Sequence, residues 1–210
     1  MVIINDDEEA IRLCQQGNSQ GLTVLIHRYQ LRAIRIVYLL LNNNSVAEDI
    51  VQESFFRAWN SIKQFNAQQP FAPWFLRIVI NTTRMYQRTL TRHPQMSLEM
   101  VDAQDSIFMA ESITFDPAAQ AEESEIRVIL VTLIMKLSPK QREAIILHYY
   151  GGYTAPDIAR IVGCRADAVR QRLHNGITTL ERIMNAEYPW LKHVYFYETE
   201  YVPHDTTTPK

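Results

Sequence analysis

The chain is written in a helical period. Leu22, Leu25, Ile26 and Tyr29 stand at i, i+3, i+4 and i+7, and Ile36, Val37 and Leu40 continue the stripe. That spacing puts them on one face of a helix. The polar run Asn42-Asn43-Asn44-Ser45 breaks it, and Ser45 is suited to cap the next helix. There Val46, Ile50, Phe55, Trp59 and Ile62 form the inward face. Phe65 to Pro73 holds two prolines and three side-chain amides and reads as a loop. A helix from about Ala72 to Arg88 follows. A second helical block begins near Ser124, with Ile126, Ile129, Leu130, Leu133 and Leu137 as its core stripe. Ser138-Pro139-Lys140-Gln141 has the form of a capping box with proline at the first helical position. It opens a helix through about His148, which Gly151-Gly152 ends. No convincing alternation typical of strands precedes the C-terminal tail. The expected fold is all-α: two small helical domains, residues 1–92 and 124–185, a linker at 93–123, and an extension at 186–210.

Charge sharpens this division. The net charge of −2 conceals strong local asymmetry. Residues 77–92 carry four arginines and no acid, whereas 93–126 carry eight acids and no lysine or arginine. Residues 136–182 carry eight basic and four acidic side chains. Two basic blocks therefore flank an acidic connector. Within the 72–88 helix, Phe75, Ile78, Val79 and Tyr86 share one side, and Arg77, Asn81, Arg84 and Arg88 share another. A stripe of one sign calls for an anion opposite it; a solvated helix flank is the other reading.

Residues 154–175 carry the strongest local motif. Thr154 caps a short helix with Ile158, Ala159 and Val162 inward, Gly163 supplies a turn, and a second helix follows with Val169, Leu173, Ile177 and Leu180 inward. This is the pattern of a helix-turn-helix, whose second helix enters the major groove. Asp167, Arg170, Gln171, His174 and Asn175 face away from the core, and these residue types can read base edges.

Other classes lose ground. The six histidines are scattered, and no glycine-rich phosphate loop or nucleophile motif is present. No catalytic residue, metal or cofactor is expected. Two cysteines, Cys14 and Cys164, exclude a disulfide scaffold. The acidic start lacks the order of a signal peptide, and the run Val128 to Met135 is far shorter than a membrane span. The expectation is a cytoplasmic protein with no membrane insertion.

Two stretches resemble the extracytoplasmic-function sigma factors of bacterial RNA polymerase. Asp49-Ile-Val-Gln-Glu-Ser-Phe-Phe-Arg-Ala-Trp59, with Phe65 and then Phe71-Ala-Pro-Trp-Phe-Leu-Arg-Ile-Val-Ile-Asn81, is similar to region two. Leu137 to Leu147, Gly152 to Cys164 and Ala168 to His174 are similar to region four. The resemblance implies a non-catalytic specificity subunit that joins core polymerase and directs initiation at promoters. Docking on the clamp coiled coil of the largest subunit then falls to Asp49, Gln52, Glu53 and Phe56. The −10 element falls to the 65–73 loop and to Arg77, Asn81, Arg84 and Arg88. Phe71, Trp74 and Trp59 are read either as stacking platforms or as core. The −35 element falls to Arg165, Asp167, Arg170, Gln171, Arg172, His174 and Asn175. Many members of the family also bind an anti-sigma factor. The acidic linker is expected to act as a nucleic-acid mimic in the polymerase channel.

The sequence departs from the family at four places. Arg165 replaces a capping residue, Asp167 replaces a small one, Asn175-Gly176-Ile177 replaces a basic run, and Met85 replaces an acid. These bear on −35 affinity. The aromatic tail, with Tyr188, Trp190, Tyr195, Phe196, Tyr197 and Tyr201, is read as packing on region four or as a regulatory cover. The competing function is a helix-turn-helix regulator that binds DNA without joining polymerase. Such a regulator has no need of the Asp49 to Asn81 block.

Overall fold

A computed structural model of the chain describes residues 6–92 and 117–190, the side chains of 117–125 excepted. Every regular element among them is helical: Asp7–Gln15 (α1), Ser19–Leu41 (α2), Asn44–Ser61 (α3), Phe71–Arg92 (α4), Pro117–Met135 (α5), Pro139–Ile145 (α6), Ala155–Val162 (α7) and Ala166–Glu187 (α8). A 3₁₀ turn, Ile62–Gln64, follows α3, and a π-helical turn, Ile146–Tyr150, follows α6. The fold is all-α, as the periodicity predicts.

The core is organised around α2. Its last stretch, Ile36 to Leu41, carries no charged side chain, and Ala33, Ile34, Ile36, Val37, Tyr38, Leu39 and Leu40 are all buried. A helix without a polar face must be covered all round. Helices α1, α3 and α4 pack on one part of it, and α5, α6 and the π turn on another. As a result the two helical blocks share one core. Leu147, Ile158, Ile161 and Val169 belong to the same cluster as Ile36, Val37, Phe75 and Ile80.

Helix ends follow local chemistry. Asn42 closes α2 in the left-handed conformation (φ 53°), donating its N–H to the Tyr38 carbonyl at 2.6 Å. The cap of α3 is Asn43, not Ser45: its side chain accepts from the Val46 N–H at 3.0 Å. Asparagine tolerates the left-handed turn and caps well, so two residues suffice between the helices. Ser138 and Gln141 form the expected capping box on α6, and Thr154 and Asp157 form one on α7. Helix α5 starts at Pro117, earlier than Ser124. Proline at the first helical position loses no hydrogen bond there.

Helix α5 faces two neighbours. Ile129 and Leu133 meet Ile183 of α8, while Val131 and Ile134 pack toward the shared core. Leu130 is 51% exposed, which removes it from the expected core stripe.

Helices α1 and α2 approach closely at Gly21. A Cβ there would lie 2.2 Å from the Ala10 carbonyl oxygen and 2.9 Å from the Cys14 sulfur. The same burial pushes the Cys14 thiol up to about 11. Gly21→Ala is expected to force the helices apart and destabilise the fold by about 2 kcal/mol or more. Thermal unfolding followed by circular dichroism should show Tm falling by roughly 5 °C.

Candidate functional site

Three surfaces carry the residues singled out by the sequence. The first is the outward face of α3. Asp49, Gln52, Glu53 and Phe56 follow one another at helical spacing, and all four are exposed. Phe56 is 62% exposed, unusual for a phenylalanine on a folded surface. It borders a groove of about 270 Å³ between α2 and α3, lined also by Leu22, Ile26, Gln30, Val51, Gln52 and Phe55. Glu53 accepts a hydrogen bond from Arg57 at 2.7 Å, and Arg57 reaches on to the Met85 sulfur at 3.5 Å. An apolar anchor beside carboxylates suits a basic partner helix.

The second surface is the polar side of α4. Arg77, Asn81 and Arg88 are exposed along it. Arg84 stands among them in sequence but not in environment. Its guanidinium grips Glu143 of α6 through two bonds of 2.7 and 2.6 Å and donates to the Val162 carbonyl of α7 at 3.0 Å. Hydrogen bonding to Glu143 raises its pKa further, against the effect of burial. The anion that the single-sign stripe calls for is thus, at one of its positions, a carboxylate of the same chain.

Phe71 and Trp74 separate here. Phe71 is 1% exposed and stacks nearly parallel to Phe75 at 5.6 Å, with Tyr29, Phe65 and Trp74 around it. In this arrangement it is a core residue with no free face for a base. Trp74 is half-buried, packs on Phe65 at 4.5 Å, and keeps part of its ring at the surface. Trp59 is also half-buried, against the α1–α2 core. The loop before α4 is pinned by a residue the sequence reading did not single out. Gln15 of α1 donates to the carbonyls of Ile62 and Phe65 at 3.0 and 2.7 Å. No periodicity marks a single amide, so only the packing reveals it.

The third surface is the helix-turn-helix. Gly163 ends α7 in the left-handed conformation (φ 74°), which glycine adopts without steric cost. Thr154 donates to Asp157, and this hydrogen bond is the main cause holding the Asp157 carboxyl below its usual range. Arg165 occupies the cap position of α8 and makes no side-chain capping bond, as its replacement of a capping residue implies. Arg165, Asp167, Arg170, Gln171, His174 and Asn175 line the outward side of the recognition helix. Arg172 is half-buried and turns back to the Cys164 sulfur at 3.4 Å. The outward residues pair among themselves. Arg170 donates to Asp167 at 2.5 Å, and Gln171 donates to Asn175 at 2.8 Å. Gly176, in the place of a basic residue, is buried against Ile145 of α6.

Among the described residues, no helix is long and apolar enough to cross a membrane. The acidic residues at 99–116 and the aromatic positions 195–201 lie outside the described residues, and with them the mimic and tail readings.

Comparison with known proteins identifies relatives of the chain. Residues 25–93 match the sigma-70 region 2 family and residues 127–180 match sigma-70 region 4. The chain is 27% identical to the ECF RNA polymerase sigma-E factor of Haemophilus influenzae, over 83% of this chain and 93% of that protein. Its fold is similar to that of CnrH, solved in complex with the cytosolic domain of CnrY (TM-score 0.62, 21% identity, 86% of this chain and 98% of that one). It is also similar to the sigma factor RpoE of Bartonella quintana, solved with the anti-sigma factor NepR (TM-score 0.55, 24% identity, 80% and 97%). With both regions matched in order and a relative aligned across them over nearly its full length, the chain belongs to the extracytoplasmic-function RNA polymerase sigma factors.

Proposed function

We propose that this chain binds core RNA polymerase through the α3 face and directs it to promoters through α4 and α8. The observation that carries the reading is the set Asp49, Gln52, Glu53 and Phe56 beside an open apolar groove. A regulator acting on DNA alone has no use for such a face. The chain itself contributes recognition and leaves catalysis to the polymerase, and it works in the cytoplasm, where polymerase and promoters meet. Arg77, Asn81 and Arg88 hold the −10 strand, with Trp74 as the stacking ring at its edge. Arg165, Arg170, Gln171, His174 and Asn175 reach the −35 element, and Asp167 orients Arg170. Arg172 braces the turn from behind. The anti-sigma factor bound to the RpoE relative supports a protein inhibitor for this chain as well.

Reconstitution with core polymerase and run-off transcription on a genomic library tests the whole reading. Transcripts sharing an upstream motif are expected; DNA binding with no core binding would sink it in favour of a plain regulator. Phe56→Ala is expected to weaken core binding about tenfold or more without altering helical content, as measured by fluorescence titration. Arg77→Ala with Arg88→Ala should leave core binding intact. The pair should lower the salt slope of open-complex formation by roughly one for each phosphate that is no longer neutralised.

A further inference from the structure

We infer that Asp167 and Arg170 act as one unit that reads a single C·G pair in the upstream promoter element. Asp167 is thereby a specificity-determining residue: its carboxylate rejects every base pair that sets an acceptor against it. This rests on the reading of α8 as the helix that meets the −35 element.

Three observations support it. First, the pair is open to a ligand. Arg170 donates through one terminal nitrogen to an Asp167 carboxylate oxygen at 2.5 Å, and Arg165 stands 3.9 Å from the other oxygen. The Asp167 and Arg170 side chains are 74% and 61% exposed. An ion pair so exposed contributes little to the fold.

Second, the carboxylate sits where a recognition helix meets bases. Asp167 is the second residue of α8, and Arg170 follows three positions later on the same side. The N-terminal residues of such a helix are the ones that contact base edges. Asp167 is the only acid from Arg165 to Asn175. Near DNA it repels phosphates and lowers general affinity. A base that donates to it offsets that loss, so the acid exchanges affinity for selectivity. The neighbouring polar groups are engaged elsewhere. Gln171 donates to Asn175 at 2.8 Å, and Arg172 turns back to the Cys164 sulfur.

Third, the hydrogen-bonding capacities match one base pair. An ionised carboxylate only accepts, and a guanidinium only donates, with five N–H groups of which Asp167 takes one. Across the major groove a C·G pair presents a donor, cytosine N4, and then two acceptors, guanine O6 and N7. Asp167 accepts from the cytosine while Arg170 donates to both guanine acceptors. On the same edge T·A, G·C and A·T each place an acceptor first, opposite the carboxylate.

The test uses holoenzyme reconstituted from core RNA polymerase and the full chain. It transcribes a template pool whose upstream element is randomised, each template marked by a transcribed barcode. Transcript counts then give the base choice at every position. The unaltered chain should favour C·G about tenfold over the other pairs at one position. Asp167→Ala should flatten the choice there, keep the choices elsewhere, and raise output from the poorest templates. Asp167→Asn, nearly the same in shape, should admit the other pairs at that position, because its amide also donates. Arg170→Ala should flatten the choice at the same position. An unchanged choice in Asp167→Ala, or a uniform fall at all positions, overturns the inference. So does an effect of Arg170→Ala confined to a different position. The reading of α8 is judged separately. If Arg170→Ala, Gln171→Ala and His174→Ala combined leave every upstream choice intact, it is that reading which has failed, and the inference falls with it.

Discussion

Two adjacent residues of α6, Arg142 and Glu143, tie the molecule together. The Arg142 guanidinium is buried and donates to the carbonyls of Ile134, Met135, Leu137 and Leu40. These acceptors lie at and just beyond the C-terminal ends of α5 and α2, where carbonyls lack helical partners and the helix dipole is negative. Burial lowers the pKa of this arginine. The carbonyl cage is what allows a charge to sit there at all, since an unpaired buried cation is far costlier. One residue along, Glu143 takes Arg84 from α4. A single turn of helix thus joins α2, α4 and α5.

That joint explains how the surfaces are distributed. Because Ile36 to Leu40 of α2 are enclosed by both blocks, the faces that carry the singled-out residues in the open are the outward sides of α3, α4 and α8. The α3 face carries an apolar anchor with acids, and the α4 and α8 faces carry cations and amides. One suits a protein helix and the others suit nucleic acid.

Much of this was readable from residue order. The helices follow the 3.6-residue period, and both capping boxes and the Gly163 turn follow known local chemistry. The outward sets on α3 and α8 follow from which side of each stripe is apolar. The misses share a cause. Ser45 yielded to Asn43 as a cap because two neighbouring residues compete for one helix end, and backbone direction decides. Leu130 lies on the exposed side of α5, and Phe71 stands at the centre of an aromatic cluster rather than at its edge. Arg172 points inward although it stands among outward residues. Gln15 and Gly21 act on elements that lie beyond their own helices.

The sequence by itself determined the helical class, the two family regions and the acidic, aromatic and basic residues that stand on the outward sides of α3, α4 and α8. Those depend on periodicity and side-chain chemistry, which are local. The tertiary structure alone decided that Ile36 to Leu40 of α2 are buried and that the blocks share one core. It also decided that Arg84 faces Glu143 rather than solvent. A one-dimensional charge count sees an uncompensated basic stripe in residues 77–92. Only folding brings an acid from 59 positions later within 2.6 Å of it, because the partner of a charge is chosen by distance in space.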